Sequence, residues 1–257
     1  MFGKSNDEKK AKSYTYSGAV VDNSVKFAIS ESYKIARTNM LFSISNDDFH
    51  TVVFTSASSH EGKSTTAINM AVSVAKAGKK TLLIDADMRK PTINRRLKLV
   101  NEKGLSDILG GFCSVEEGIS KNVHENLDVI GTVTIPPNPS ELLGSKRMEE
   151  VLKDLQTKYD MIIIDTPPVD IVIDSQLMNN FISGIVFIVK EGSTQHPDIR
   201  RSLNNIELAE GKVIGFIKTS CEPKEKRSYR GRYSNKYYST YAYMPSNNSK
   251  GKKSKND

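Results

Sequence analysis

The sequence has 257 residues and a formal net charge of +7, and this length suffices for one large α/β domain with a sizeable core. No apolar run approaches the roughly 18–20 residues that a membrane span needs, and residues 1–10 lack the apolar core of a signal peptide. Both cysteines, Cys113 and Cys221, lack metal-binding or redox spacing. We therefore expect a cytoplasmic chain in a reducing compartment.

The positive charge belongs to one segment. Residues 222–257 contain ten Lys and Arg residues against three Asp and Glu residues, so this segment accounts for the whole net charge. It also holds six of the ten tyrosines, and its apolar residues follow neither helical nor strand spacing. Residues 1–25 are polar and rich in lysine. We predict that segments 1–25 and 222–257 are disordered and that residues 26–221 form the folded domain.

The first predicted helix starts near Ser30, a candidate N-cap, and has apolar residues at helical spacing as far as Leu41. Glu31, Lys34 and Arg37 lie three residues apart and form one charged stripe on this helix. The stripe is either a solvated surface or a contact with a neighbouring subunit.

The most informative motif lies in residues 51–66. An apolar, β-branched run passes through small polar residues to Gly62, Lys63 and Ser64, and good helix formers follow. This order is the context of a phosphate-binding loop, in which the N–H groups of the first helical turn point at the anion. We expect Lys63 to reach the β- and γ-phosphates and Ser64 to bind Mg²⁺. The predicted nucleotide contacts come from Ser58, Ser59, His60, Glu61, Gly62, Lys63, Ser64 and Thr65.

Two further apolar runs end in aspartate. Asp85 and Asp87 follow the run at residues 81–84, with Arg89 close behind, and Asp165 ends the run at residues 161–164. Open parallel sheets bind ligands at the carboxyl ends of their strands. We therefore expect all four side chains to join the nucleotide site, with Asp165 supporting Mg²⁺.

The remaining chain predicts a repeated strand–helix pattern. Residues 91–126 indicate loop and helix, residues 127–130 a short strand, and the prolines of residues 136–139 a rigid loop before a helix capped by Ser140. Apolar runs at 184–189 and 212–217 flank a helix from about Asp198 to Glu210. Alternating strands and helices predict an α/β fold of the phosphate-loop NTPase type, a mostly parallel sheet with helices on both faces.

The tail, residues 222–257, has three interpretations. Basic residues interleaved with aromatic ones can bind single-stranded nucleic acid, and a basic tail can bind an anionic membrane surface. A tyrosine cluster can also be a phosphorylation substrate. Because each phosphate adds about −1.5 to −2 charges, roughly four would cancel the charge of the tail.

Together, the phosphate loop, residues 82–89, residues 162–168 and the tyrosine-rich tail resemble the bacterial tyrosine kinases. These autokinases are encoded with capsular and exopolysaccharide machinery. The resemblance covers about residues 25–220 and the tail, and segments 37–39 and 136–143 also look like those of the family. The sequence contains none of the signature motifs of eukaryotic kinases.

The resemblance implies a protein-tyrosine autokinase with ATP and Mg²⁺ as cofactors. It implies that Lys63 and the loop amides hold the phosphates and that Ser64, Asp87 and Asp165 bind Mg²⁺. Asp85 and Asp87 would position or deprotonate the tyrosine hydroxyl. The implied phosphate acceptors are Tyr229, Tyr233, Tyr237, Tyr238, Tyr241 and Tyr243.

The resemblance also implies partners. A membrane-embedded adaptor of the polysaccharide co-polymerase type would activate the chain and recruit it to the inner face of the plasma membrane. Glu31, Lys34 and Arg37 would join subunits into a homo-oligomeric ring, in which the tail of one subunit enters the site of its neighbour. A cognate tyrosine phosphatase would reverse the modification. No nucleic acid is expected as a partner.

The sequence departs from the family pattern at several positions. Ala57 replaces the first glycine of the phosphate loop, and Ser59-His60 stands where Pro-Gly is usual. Lys34 replaces the first arginine of the Glu-x-x-Arg-x-x-Arg subunit contact, and an ammonium group cannot make a bidentate guanidinium contact. Thr219 follows the last strand, where family members tend to have asparagine.

The main alternative is a partitioning or septum-positioning ATPase, a switch protein that shares the first two motifs. Its phosphate loop carries an additional lysine five residues before the catalytic one. That position is Ser58 in this chain, which favours the kinase.

Overall fold

The structure is a computed structural model that describes residues 27–172, 174 and 177–221. The strands of this part are β1 (Thr51–Ser56), β2 (Thr81–Asp85), β3 (Ile119–His124), β4 (Leu127–Ile130), β5 (Met161–Asp165), β6 (Gly184–Lys190) and β7 (Val213–Thr219). The helices are α1 (Phe27–Ser43), α2 (Lys63–Ala75), α3 (Ile93–Leu97), α4 (Leu105–Leu109), α5 (Val115–Gly118), α6 (Pro139–Leu143), α7 (Lys146–Gln156) and α8 (His196–Leu208), with a 3₁₀ turn at Asn179–Phe181.

The strands form one sheet in the order β3-β4-β2-β5-β1-β6-β7. Every neighbouring pair is parallel except the antiparallel pair β3–β4. Strands β1, β2 and β5 are buried at every residue, as strands of a parallel sheet covered on both faces must be. The predicted mostly parallel α/β fold is confirmed.

The sheet separates two apolar cores. Successive residues of a strand point to opposite faces, so Val52 and Phe54 of β1 pack with α1 and α2, whereas Val53 packs with α4, α7 and α8. The helices therefore cover both faces, as predicted. Among the described helices, none combines the length and apolar character needed to cross a membrane.

Two predicted helix caps are wrong. Helix α1 begins at Phe27, so Ser30 lies inside it, because no residue between them interrupts the helix. Helix α6 begins at Pro139 with Asn138 at the N-cap position, since proline suits the first helical position. Ser140 is therefore not the cap, and its hydroxyl instead donates to the Asp174 carboxylate at 2.6 Å.

Strand β3 lies in the stretch that was predicted to be loop and helix. Its burial does not alternate regularly, and its register against β4 shifts between Ser120 and His124. Asn122 interrupts it with a positive φ of 53°. Because these irregularities remove the period of two, the sequence pattern does not reveal this edge strand.

Candidate active site

The predicted phosphate loop connects β1 to α2 at the centre of the sheet. Gly62 precedes the helix with a φ of 93°, in the left-handed region that glycine adopts without a steric penalty. Its carbonyl accepts the first helical hydrogen bond, from the Thr66 N–H at 2.9 Å. Since the helix begins at Lys63, the unpaired N–H groups of its first turn lie beside the loop, where an anion binds.

A cleft of about 270 Å³ opens beside this loop. Of the predicted site residues, it is lined by Ser58, Ser59, His60, Gly62, Lys63, Ser64 and Asp87. It is also lined by Ser56, Lys90, Thr92, Arg95, Arg96 and Pro168, which were not predicted. The structure thus brings most of the predicted nucleotide contacts together around one cavity.

Lys63 lies between two carboxylates. Its Nζ atom is 3.1 Å from Asp165 Oδ1 and 3.6 Å from Asp87 Oδ2. Burial lowers the pKa of Lys63, but the Asp165, Asp87 and Asp85 carboxylates outweigh burial, so the pKa is raised. Lys63 is therefore a positively charged group at neutral pH, at the end of the cleft.

Asp85 and Asp87 have different environments. Asp85 is fully buried, and its Oδ2 accepts the N–H groups of Thr92 and Ile93, each at 3.0 Å. Burial and the nearby Asp165 carboxylate raise the pKa of Asp85 to about 7. Asp87 borders the cleft, and burial raises its pKa although Lys63 opposes the shift. Asp87 is thus the carboxylate that a substrate in the cleft would meet.

The chemistry of the site fits Mg²⁺. Asp165 Oδ2 is buried and has no hydrogen-bond partner, and Ser64 and Asp87 line the adjacent cleft. Among the described residues, no three His, Cys, Asp or Glu side chains could hold a metal by themselves. Mg²⁺ needs no such set, because it keeps several waters and binds through one or two carboxylates and the phosphates of its substrate.

Three predicted nucleotide contacts point elsewhere. The Glu61 side chain is buried behind the loop, where its Oε2 accepts the Ser58 N–H at 3.0 Å. The Thr65 hydroxyl accepts a hydrogen bond from Arg96 at 2.9 Å. Arg89 does not line the cleft; its Nε donates to Asp174 at 3.3 Å and its Nη2 to Ser140 at 2.8 Å.

The stripe on α1 makes contacts within the chain. Lys34 and Glu31 form a 2.7 Å ion pair along the helix. Arg37 instead turns toward α2 and donates to the carbonyl of Ser73 at 2.6 Å. The predicted contact with a neighbouring subunit stays a prediction. The Arg37 side chain already makes a hydrogen bond within the chain, and this bond links α1 to α2.

Three basic residues that line the cleft were not predicted from the sequence. Lys90, Arg95 and Arg96 all follow Asp87 within ten residues, and this cluster of cations after a strand-end carboxylate was the available signal. The six predicted acceptor tyrosines lie outside the described residues.

Comparison with known proteins shows the family. The model of the AAA domain family matches residues 51–195. The chain is 39% identical over 207 residues to the tyrosine-protein kinase YwqD of Bacillus subtilis (strain 168), which covers 80% of this chain and 87% of that protein.

Solved structures give the same result. The kinase domain of the Escherichia coli tyrosine kinase ETK is 28% identical and superposes with a TM-score of 0.72, covering 79% of this chain and 80% of that one. A plasmid partition protein from Borrelia burgdorferi superposes with a TM-score of 0.56 over 70% of this chain and 83% of that one. At 20% identity, it shares the fold alone. With the phosphate loop and its carboxylates in place, the chain belongs to the bacterial tyrosine-protein kinases.

Proposed function

We propose that this kinase transfers the γ-phosphate of ATP to tyrosines in its own tail. The observation that carries the proposal is the position of Lys63, whose Nζ lies 3.1 Å from Asp165 and 3.6 Å from Asp87 at the end of the cleft. A phosphate loop with a charged lysine and carboxylates beside it has the groups that phosphoryl transfer requires.

The reaction needs a proton acceptor. A tyrosine hydroxyl has a pKa of about 10 and is almost fully protonated at neutral pH. Asp87 borders the cleft, so it accepts this proton as the tyrosine oxygen bonds to the γ-phosphorus and the bond to the ADP oxygen breaks. Asp85, fully buried and bonded to backbone N–H groups, holds the segment that carries Asp87.

Lys63 and the loop N–H groups stabilise the charge on the transferred phosphoryl group. Ser64 and Asp165 would hold Mg²⁺, together with the Asp87 carboxylate oxygen that does not take the proton, and the bound ion would neutralise charge on the phosphates. Ser58 supports the kinase over the partitioning ATPase, because it occupies the position of the additional lysine of that class.

The proposal extends to the cellular role. Phosphorylation occurs in trans between subunits of a homo-oligomer, an adaptor of the polysaccharide co-polymerase type activates the chain at the membrane, and a tyrosine phosphatase resets it. The modification regulates capsular or exopolysaccharide synthesis and export. Support comes from the family to which the chain belongs and from the tyrosine cluster in a tail of opposite charge to phosphate.

A mixing experiment tests the transfer and its direction. One chain carries Lys63→Met and retains its tyrosines; the other carries Tyr→Phe at all six tail positions and retains Lys63. With Mg²⁺, ATP and the cytoplasmic segment of the adaptor, we expect phosphotyrosine on the Lys63→Met chain only in the mixture. If wild-type chains modify themselves but the mixture stays unmodified, transfer in trans is wrong.

A further inference from the structure

Hydrogen bonds connect the outer side of the phosphate loop to the segment after β6. The Glu61 carboxylate, 3% exposed, accepts the Ser58 N–H at 3.0 Å through Oε2 and the Thr194 hydroxyl through Oε1. Thr194 also accepts the Lys190 N–H at 2.8 Å. One threonine hydroxyl therefore connects the loop carboxylate to the end of β6.

A second contact to the loop comes from Thr219 at the end of β7. The Thr219 hydroxyl donates to the Glu61 carbonyl at 2.7 Å. Its methyl group packs against Gly62, where an added Cβ would lie 3.3 Å from Thr219 Cγ2. Thr219 thus holds the backbone immediately before Lys63.

The loop needs such support. His60 has a φ of 65°, which is uncommon for a residue with a Cβ and persists only where its surroundings impose it. Ser59 has no proline ring to fix its backbone. Neither Thr194 nor Thr219 lines the cleft, so both act on the loop from behind.

We infer that Thr194 and Thr219 are positioning residues that set the phosphate loop in its nucleotide-binding shape before ATP arrives. The inference rests on the proposed function only in taking ATP as the ligand. A loop ordered in advance binds more tightly, because less conformational freedom is lost on binding. Without either hydroxyl, a buried oxygen of Glu61 loses its partner and the loop N–H groups lose their common orientation.

The test compares Thr194→Val and Thr219→Val in the full chain. Calorimetric titration with ATP and Mg²⁺ should show a Kd about tenfold higher for each, which corresponds to about 1.4 kcal/mol. The kcat at saturating ATP should stay within about twofold of wild type, because the reacting groups are untouched. Thr194→Ser and Thr219→Ser restore the hydroxyl and should restore the Kd.

Thr157→Val is the matched control, since the Thr157 hydroxyl donates to the Asp154 carbonyl on the exposed surface; it should leave the Kd unchanged. If the valine variants bind ATP as wild type does, or if kcat falls while Kd holds, the inference is wrong and the proposed function stands. If a valine variant fails to fold, the serine variant decides: a folded protein with a weakened Kd contradicts the inference. If the wild type binds no ATP, the proposed function fails and the inference with it.

Discussion

At the level of single residues, three carboxylates surround one ammonium group at the end of the cleft. The ammonium group of Lys63 faces Asp165 and Asp87 directly, and Asp85 lies within electrostatic range. Because these carboxylates are buried close together, protonation of one of them is favoured. This is why the pKa of Asp85 is raised. The same carboxylates supply oxygen ligands of the kind that a divalent cation such as Mg²⁺ prefers.

The nucleotide-free chain should lose stability as pH rises from about 4 to 7. Asp85 holds its proton in the folded state up to a pKa of about 7, against 3.8 for the reference carboxyl. The folded state therefore binds more protons than the unfolded state across this window, and the free energy of unfolding falls by at most roughly 4 kcal/mol. Denaturant unfolding of wild type and Asp85→Asn at several pH values measures the difference.

The amide oxygen of Asp85→Asn can still accept the Thr92 and Ile93 N–H groups, so the variant should show a flatter pH profile than wild type. Glu125→Gln, at an exposed position, should keep the wild-type profile. If the free energy of unfolding depended on pH in the same way for wild type and Asp85→Asn, the raised pKa could not belong to Asp85.

Lys63→Met should destabilise the nucleotide-free protein by about 3 kcal/mol, because it leaves the Asp165 carboxylate buried without its cation. Adding Asp165→Asn should recover much of this loss in a double-mutant cycle measured by denaturant unfolding. Lys153→Met breaks an exposed pair with Glu149 and should cost no more than about 0.5 kcal/mol. Equal losses for the two lysine variants would rule out a strong buried pair.

At the level of elements, apolar pattern and turn chemistry predict the strands that position the site. Strands β1, β2 and β5 each contain a continuous apolar run, so their carboxyl ends, and with them Asp85 and Asp165, could be placed at one edge of the sheet. Strand β3 lacks that pattern. Lys90, Arg95 and Arg96 line the cleft because the turn after β2 folds back toward it. The periodicity of the sequence does not predict the path of this turn.

Arg37 links α1 to α2 and should contribute to stability. Its hydrogen bond to the Ser73 carbonyl is 2.6 Å long and partly buried. We expect Arg37→Ala to lower the free energy of unfolding by about 1.5 kcal/mol, or roughly 3–6 °C in Tm. Lys34→Ala loses only an exposed pair and should leave Tm almost unchanged.

Light scattering of the same variants addresses the predicted subunit contact separately. An unchanged Tm with a smaller oligomer for Arg37→Ala would show that the side chain serves the interface between subunits and not the contact with α2.

At the level of the whole molecule, the chain divides into an electrically neutral body and a basic tail that carries the predicted acceptors. In the proposed function the body binds nucleotide through the residues around Lys63, and the described residues that line this cleft all lie between Ser56 and Pro168. Replacing the six tail tyrosines by phenylalanine should therefore leave the Kd for ATP unchanged while removing the phosphotyrosine signal. A large change in Kd on titration would contradict this separation of roles.

The most direct test of the central claim is tandem mass spectrometry of the full chain after incubation with Mg²⁺, ATP and the cytoplasmic segment of the adaptor. We expect phosphotyrosine within residues 229–243 of the wild type, its loss in Lys63→Met, and its retention in the surface variant Lys103→Met. Phosphotyrosine that persists unchanged in Lys63→Met, or none in the wild type while ATP is hydrolysed, would contradict the assignment of this chain as a tyrosine autokinase.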